Sequence, residues 1–152
     1  MKKKLIFVLL LFIYGCGYVP IHSGIEKNDL KIVILSEDGD AEMNNMIKNQ
    51  IKIFSISASD NIYNIKLQTS FDKKIISKDA TGTATNYKIN TKINFAFNKN
   101  NKEYKINFDE NFNVKNISNT YEQANYEKTV IENFTRSAVD NLMIKLMSID
   151  DN

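Results

Sequence analysis

Cysteine, histidine and proline are nearly absent from this sequence, and tryptophan is missing. The chain contains one cysteine, Cys16, and one histidine, His22. A single cysteine cannot form an internal disulfide, and one residue of each kind cannot supply the several Cys and His ligands of a zinc site. A serine-based catalytic triad would depend on His22, which lies in a predicted tether. We therefore expect no enzyme activity, no metal and no other cofactor.

Loops that bind calcium or phosphate are also missing. Residues 36–40 are acidic but lack the ligand spacing and terminal glutamate of a calcium loop, so they are interpreted as a solvated turn. Residues 82–85 lack the lysine and following helix of a phosphate-cradling loop. No strong excess of charge of one sign exists either: 20 basic residues stand against 18 acidic ones, and three of the lysines lie within the first four residues. Nucleic acid is not expected as a partner.

The first fifteen residues have the features of a secretory signal, predicted over residues 1–15. Three lysines precede an apolar run, Leu5 to Ile13, that is shorter than the roughly 20 residues of a membrane-spanning helix. The run ends in Ile13-Tyr14-Gly15-Cys16, which resembles a lipobox. This resemblance implies cleavage before Cys16 and lipid attachment, including acylation (palmitate or a similar chain), at that residue. Several acyl chains anchor a protein firmly. The alternative is an incidental thiol. By the same resemblance to lipoproteins, Gly17 implies the outer membrane, with the protein lipid-anchored on its periplasmic side.

The remaining chain divides into a tether and one domain. Residues 16–29 are punctuated by Gly17, Pro20 and Gly24 and predict the lipidated tether. Residues 30–152 predict a single domain. It opens with an aliphatic run, residues 30–35, that favours a strand covered on both faces. A helix is predicted over residues 41–54, with Asp40 as its N-cap.

Sustained alternation of apolar and polar residues predicts three further strands. They cover residues 62–71, 81–97 and 103–114, and the second is long enough that a bulge or break is expected. A long helix is predicted over residues 121–147, with Thr120 and Gln123 as a capping box. One apolar sheet face and two amphipathic helices predict an α+β fold: a two-layer sandwich with a four-stranded, mostly antiparallel sheet packed against two helices, in the order β-α-β-β-β-α.

Three lysines stand out in the predicted link between the first two strands of this meander. Lys73, Lys74 and Lys78 lie there beside Ile75 and Ile76. One interpretation is a solvated hairpin tip. The other is a basic and apolar tip that meets anionic lipid headgroups or a partner.

Both ends of the mature chain carry a family resemblance. Residues 16–21, Cys-Gly-Tyr-Val-Pro-Ile, are followed much later by Thr120-Tyr121-Glu122, Ala124, Tyr126 and a segment from Glu132 to Leu146 with an Ile/Leu pattern. Together they resemble the opening and the closing helix of the lipopolysaccharide-assembly lipoprotein LptE family, in its divergent alphaproteobacterial form. The chain departs from that family in having few arginines and alanines in the closing helix.

The resemblance implies delivery of lipopolysaccharide to the outer leaflet, with the lipoprotein acting as plug and partner of the outer-membrane barrel LptD. It carries over no lipopolysaccharide-contacting residue. Lys73, Lys74 and Lys78 are the candidates, because lipid A phosphates require basic side chains. A second hypothesis is a periplasm-facing binding or adaptor lipoprotein without a barrel partner. A third, a hydrolase or an inhibitor of lytic enzymes, is disfavoured because nucleophile and base pairs are missing.

Overall fold

The computed structural model describes residues 30–150, and these form a four-stranded sheet with two helices. The predicted signal segment, Cys16, the predicted tether and residues 151–152 lie outside the described residues. The elements, in chain order, are β1 (Lys31–Asp38), α1 (Ala41–Phe54), β2 (Ile62–Lys78), β3 (Ala84–Lys99), β4 (Lys102–Lys115) and α2 (Thr120–Asp150). The predicted α+β class and element order are confirmed.

The sheet has the strand order β1-β2-β3-β4, with β1 parallel to β2 and the other neighbours antiparallel. Side chains alternate between two faces, as strand geometry requires. One face is packed against the helices, and the opposite face, here called the polar face, carries amide and charged side chains. The buried residues of the helix-packed face on the two central strands are Tyr63, Ile65, Leu67, Thr69, Ile89, Thr91, Ile93, Phe95 and Phe97.

The long helix α2 runs along β2 and is held near both of its ends. Lys73 forms an ion pair with Glu127, and Tyr63 forms a hydrogen bond with Asp150. Ten residues of strand span about 33 Å, and the 23 residues of helix between the partners span about 34 Å. Because these lengths match, one straight helix bridges both contacts. Between them α2 buries Leu142, whose truncation in a packed core would cost about 2–5 kcal/mol.

Helix α1 begins at a tight junction with the sheet. The Asp40 carboxylate accepts from the Met43 amide at 2.9 Å, which confirms the predicted N-cap. Gly39 just before it has φ +95°, and a Cβ there would lie 1.7 Å from the Thr69 carbonyl oxygen. The buried Thr69 hydroxyl accepts from the Asp40 amide at 2.9 Å and contacts the Asn44 side-chain oxygen at 2.8 Å. The glycine therefore allows helix and sheet to approach closely.

Two sequence predictions are wrong in detail. The first strand is not covered on both faces: β1 is an edge strand, and Leu35, at an irregularity in its pairing with β2, is 60% exposed. The long helix is capped by Asn119, whose side-chain oxygen accepts from the Tyr121 amide at 3.0 Å. Gln123 instead accepts from the Ile117 amide at 2.7 Å, so it fixes the approach to the helix. An apolar run does not show whether a strand lies at the edge or in the centre of a sheet. A Thr-x-x-Gln pattern does not show which residue caps the helix.

Candidate functional site

The domain has two dissimilar ends, which we call the base and the tip. The base contains Leu30, where the described chain begins, the connection of residues 55–61, the β3–β4 turn and the end of α2. The tip contains the β2–β3 turn of residues 79–83 and residues 116–119, which lead into α2. The Ile56 amide donates to the Leu30 carbonyl at 2.9 Å, which fixes the start of the domain at the base. A tether through residues 16–29 would therefore enter at the base.

The base is closed by an interlocked polar cluster. The Tyr63 hydroxyl donates to Asp150 at 2.5 Å, and Asn61 donates to the other oxygen of that carboxylate at 2.6 Å. Lys99 donates to the Asn61 side-chain oxygen at 2.5 Å and lies 4.4 Å from the centre of the Tyr63 ring. Burial, followed by the hydrogen bond to Asp150, raises the pKa of Tyr63 far above its usual value. These polar groups satisfy one another and hold the helix end to the sheet.

At the tip, the three predicted lysines do not form one cluster. Strand β2 continues to Lys78, so Lys73 and Lys74 lie within a strand and project from opposite faces. Lys73 lies on the helix-packed face, where it pairs with Glu127 at 2.5 Å and sits 4.2 Å from the centre of the Tyr87 ring. Gln123 also donates to Glu127. Lys73 is therefore already partnered and serves to dock α2.

Lys74 and Lys78 are open to solvent. The Lys74 side chain is 70% exposed on the polar face, where it pairs with Asp72 at 3.0 Å. Lys78 is exposed at the end of β2 and forms no ion pair within residues 30–150.

The pairing of β2 with β3 is irregular between Ile75 and Lys78, where the register skips Ile76 of β2 and Thr85 of β3. The irregularity expected in β3 is therefore confirmed, and β2 has one as well. The strand predicted from alternating apolar and polar residues ended at Phe71, because the polar residues after it resemble a loop.

Two further lysines at the tip, missed by sequence reasoning, lie on the polar face with Lys74. Lys88 of β3 lies directly opposite Lys74, and Lys115 ends β4 opposite Asn86. We call Lys74, Lys78, Lys88 and Lys115 the basic tip. The signal that could have found them is cross-strand register, which separate strand predictions do not supply. Like charges directly opposite on neighbouring strands are destabilising, so this arrangement favours an anion between them.

The nearby carboxylates are engaged within the fold. Asp72 bonds to Lys74 and accepts from the Asn90 side chain, and these two hydrogen bonds lower its pKa. Asp79 accepts from the Thr81 hydroxyl and from the Thr83 amide, which lowers its pKa and closes the β2–β3 turn. These hydrogen bonds favour the ionised carboxylates, so the tip carries the negative charges of Asp72 and Asp79 beside its exposed lysines.

Apolar side chains accompany the basic tip. Ile75 and Ile76 are each about half exposed, and Tyr121 at the start of α2 is 74% exposed. Lysines combined with exposed isoleucines are suited to binding an anionic amphiphile or a partner surface. Residues 30–150 contain no group of three or more side chains arranged to hold a metal ion, and none of their helices is long and apolar enough to cross a membrane.

Comparisons with known proteins find this fold in bacterial lipoproteins. No family model and no curated protein matches the sequence. The structure is similar to rare lipoprotein B from Shewanella oneidensis, with a TM-score of 0.56 and 13% identity over 79% of this chain and 98% of that one. It is similar to a lipoprotein from Caulobacter crescentus, with a TM-score of 0.53 and 13% identity over 80% of this chain and 90% of that one.

A third similar structure is lipoprotein B from Nitrosomonas europaea, with a TM-score of 0.53 and 10% identity over 81% of this chain and 88% of that one. At these identities the comparison establishes the fold. The described domain therefore has the fold of lipoproteins from three bacteria, and it accounts for nearly the whole length of each.

Proposed function

We propose that this protein is an outer-membrane lipoprotein that assists lipopolysaccharide transport and assembly as plug and partner of an LptD-type barrel. The observation that carries the proposal is the agreement between two independent features. Residues 13–16 resemble a lipobox that ends at Cys16, ahead of a predicted tether, and the domain after them has the fold of bacterial lipoproteins. The resemblance of both chain ends to the LptE family supplies the barrel partner and the lipopolysaccharide substrate. The sequence also favours a non-enzymatic role.

The arrangement of base and tip supports an orientation for this role. A tether entering at Leu30 would hold the base nearest the lipid anchor, and α2 separates the tip from it by roughly 45 Å at 1.5 Å per residue. We propose that the basic tip is the end that reaches the barrel and the phosphates of lipopolysaccharide. Lys74, Lys78 and Lys88 supply charge at this end, whereas Lys73 supports them by docking α2.

The assembly role is tested by gentle detergent extraction of a tagged, lipidated protein followed by mass spectrometry of what co-purifies. The expected result is an outer-membrane barrel of the LptD type in stoichiometric amount. Lipidated protein that is extracted alone would contradict the barrel partnership and leave a periplasm-facing binding or adaptor lipoprotein. Intact mass after extraction also reports whether Cys16 carries acyl chains.

Lipopolysaccharide contact is tested by a matched pair of charge reversals on one strand. Lys88 and Lys92 both lie on the polar face of β3, but Lys92 is distant from the tip and lies near Asp109, at 3.8 Å. Lys88→Glu is expected to weaken lipopolysaccharide binding roughly fivefold to tenfold, because it replaces a lysine that attracts phosphate with a carboxylate that repels it. Lys92→Glu is expected to change binding less than about twofold, since salt screens a distant exposed charge. Equal effects of the two variants would contradict a phosphate site at the tip.

A further inference from the structure

Amide side chains recur at a fixed interval along the polar face of the central strand β3. Four asparagines stand four residues apart, at every second position of this face: Asn86, Asn90, Asn94 and Asn98. Strand geometry separates neighbours in this series by roughly 13 Å. The positions between them carry Lys88, Lys92 and Ala96. A regular series of amides therefore follows β3 from the tip to the base.

The two neighbouring strands extend this series into rows that cross the sheet. Gln68 of β2 and Asn107 of β4 both lie opposite Asn94, whose amide donates to the Gln68 side-chain oxygen at 3.4 Å. Asn111 of β4 lies opposite Asn90 in the same way. Because an amide side chain has two donors and an acceptor oxygen, these rows offer further hydrogen bonds to a ligand. We call the four asparagines of β3 together with Gln68, Asn107 and Asn111 the amide ladder.

A furrow opens in the polar face where the amide ladder passes Ala96. Ala96 lies opposite Lys66 of β2 and Lys105 of β4, so a methyl group separates two long side chains. A depression of about 400 Å³ at this point is lined in part by the row that crosses Asn94. A second hollow, of about 250 Å³, shares Ala96 and Lys66 and continues to Asn98 towards the base. Together the two hollows form a furrow that spans two successive asparagines of the ladder.

The charges that line this furrow are balanced. They belong to two lysines, Lys66 and Lys105, and to two carboxylates, Asp38 and Glu103. Glu103 lies 3.2 Å from Lys105, so these two groups neutralise each other locally. A balanced surface selects neither an anionic nor a cationic ligand. A neutral hydroxylated ligand matches it, because a hydroxyl group both donates and accepts hydrogen bonds, as an amide does.

We propose that the amide ladder binds the neutral saccharide chain of lipopolysaccharide, while the basic tip holds the phosphates. This inference rests on the proposed function, which supplies the glycolipid. Leu35 and the Ala96 methyl line the furrow and give the C–H surface of a sugar ring an apolar contact. Exposed hydrogen bonds contribute little each, so binding is weak and the chain can move from one step to the next. A plug that turns this face to a wet barrel lumen leaves a path for such a chain.

The first test uses maltoheptaose, a neutral linear oligosaccharide, and the lipidated full-length protein in a detergent without a sugar headgroup. Asn94→Leu combined with Asn107→Leu removes two amides of the ladder and nearly keeps side-chain size. Asn125→Leu combined with Asn133→Leu removes two exposed amides of α2 and is the matched control. The Kd for maltoheptaose, measured by NMR titration, is expected to rise about fivefold or more in the ladder variant and less than about twofold in the control. A parent protein that binds no maltoheptaose, or equal losses in the two variants, would overturn the proposal.

The second test fills the furrow without changing its charge. Ala96→Leu is expected to weaken maltoheptaose binding about fivefold or more, because the larger side chain occupies the depression. Ala124→Leu makes the same change at an exposed position of α2 and is expected to have an effect below about twofold. Lys92→Glu, on the same face of β3, is also expected to stay below about twofold, since the chain is neutral. Circular dichroism confirms folding of each variant. Weakening by Lys92→Glu but not by Ala96→Leu would contradict a neutral ligand in the furrow.

The third test separates the amide ladder from the basic tip. It compares binding of complete lipopolysaccharide with binding of lipid A, which lacks the core and outer saccharides. Ala96→Leu is expected to weaken binding of lipopolysaccharide alone, whereas Lys88→Glu is expected to weaken binding of both. Equal weakening of both ligands by Ala96→Leu would overturn the ladder proposal and leave the basic tip untouched. A parent protein that binds maltoheptaose but neither glycolipid would contradict the proposed function and support the saccharide site alone.

Discussion

The base and the tip are built from the same kinds of residues but use them differently. At the base, Lys99, Asn61 and Asp150 bond to one another around the buried Tyr63, so polar groups are consumed in holding α2 to the sheet. At the tip, Lys73 holds α2 through Glu127, and Lys74 forms an exposed ion pair with Asp72. The other lysines stay exposed beside half-exposed isoleucines. Lysine content alone therefore does not identify a functional surface. The useful signal is a strand register that brings lysines together where they are not needed to hold the helices to the sheet.

The largest expected effect comes from comparing Gly39, at the packed junction of α1 with the sheet, with Gly82 at the tip. Gly39→Ala is expected to lower the free energy of unfolding by about 3 kcal/mol or more, because a positive φ is combined with a clash against the Thr69 carbonyl. Gly82→Ala, at φ +86° with open space around it, is expected to cost about 1 kcal/mol. Urea unfolding of both variants measures the difference. Equal losses would mean that the junction at Gly39 is not tightly packed.

A smaller effect is expected from two tyrosine hydroxyls. Tyr63→Phe removes a buried donor to Asp150 and is expected to cost about 1–2 kcal/mol of unfolding free energy. Tyr87→Phe keeps the ring under Lys73 and removes a hydroxyl that has no hydrogen bond within residues 30–150, so it is expected to cost less than about 0.5 kcal/mol. Thermal unfolding compares the two variants, and a larger loss for Tyr87→Phe would contradict the stabilising role assigned to the Tyr63 hydroxyl at the base.

High pH should act first on the base. Tyrosine ionises near pH 10 in an unfolded chain, and the pKa of Tyr63 is raised in the folded protein by burial and by Asp150. The folded state therefore holds this proton more tightly, and its stability is full below about pH 10 and falls as pH rises towards the folded pKa. Unfolding measured from about pH 9 to about pH 12 is expected to show this decline, with a shallower slope in Tyr63→Phe than in Tyr87→Phe. Identical slopes would exclude Tyr63 as the cause.

The smallest effect is expected at the tip turn. Asp79→Ala removes the acceptor for the Thr81 and Thr83 amides, so these are expected to exchange their hydrogens a few-fold faster. Amides of the central strands should be unchanged, because the turn is exposed and local. Hydrogen exchange resolves the two regions, and faster exchange throughout β3 would show that the turn is not an independent feature.

The general architecture could be predicted from the sequence because it depends on local patterns. Alternation from Thr81 to Phe97 and the apolar stripe of α2 each indicate an element and its buried face, and Asp40 marks a helix start without tertiary information. The features that failed depend on neighbours. Whether Leu35 is buried depends on β1 being an edge, and whether Lys73 is free depends on Glu127, which is 54 residues away. Lys88 joins Lys74 only through strand register.

The direct test of the account is a photo-crosslinking comparison of the two ends in living cells. A photoreactive benzoyl-phenylalanine is placed at Ile76 of the tip or at Ile53 near the base, both exposed positions. The account predicts that Ile76 crosslinks to an LptD-type barrel and that Ile53 does not. Crosslinking from Ile53 alone, or from neither position in protein that is lipidated and folded, would contradict the proposal that the tip meets the barrel.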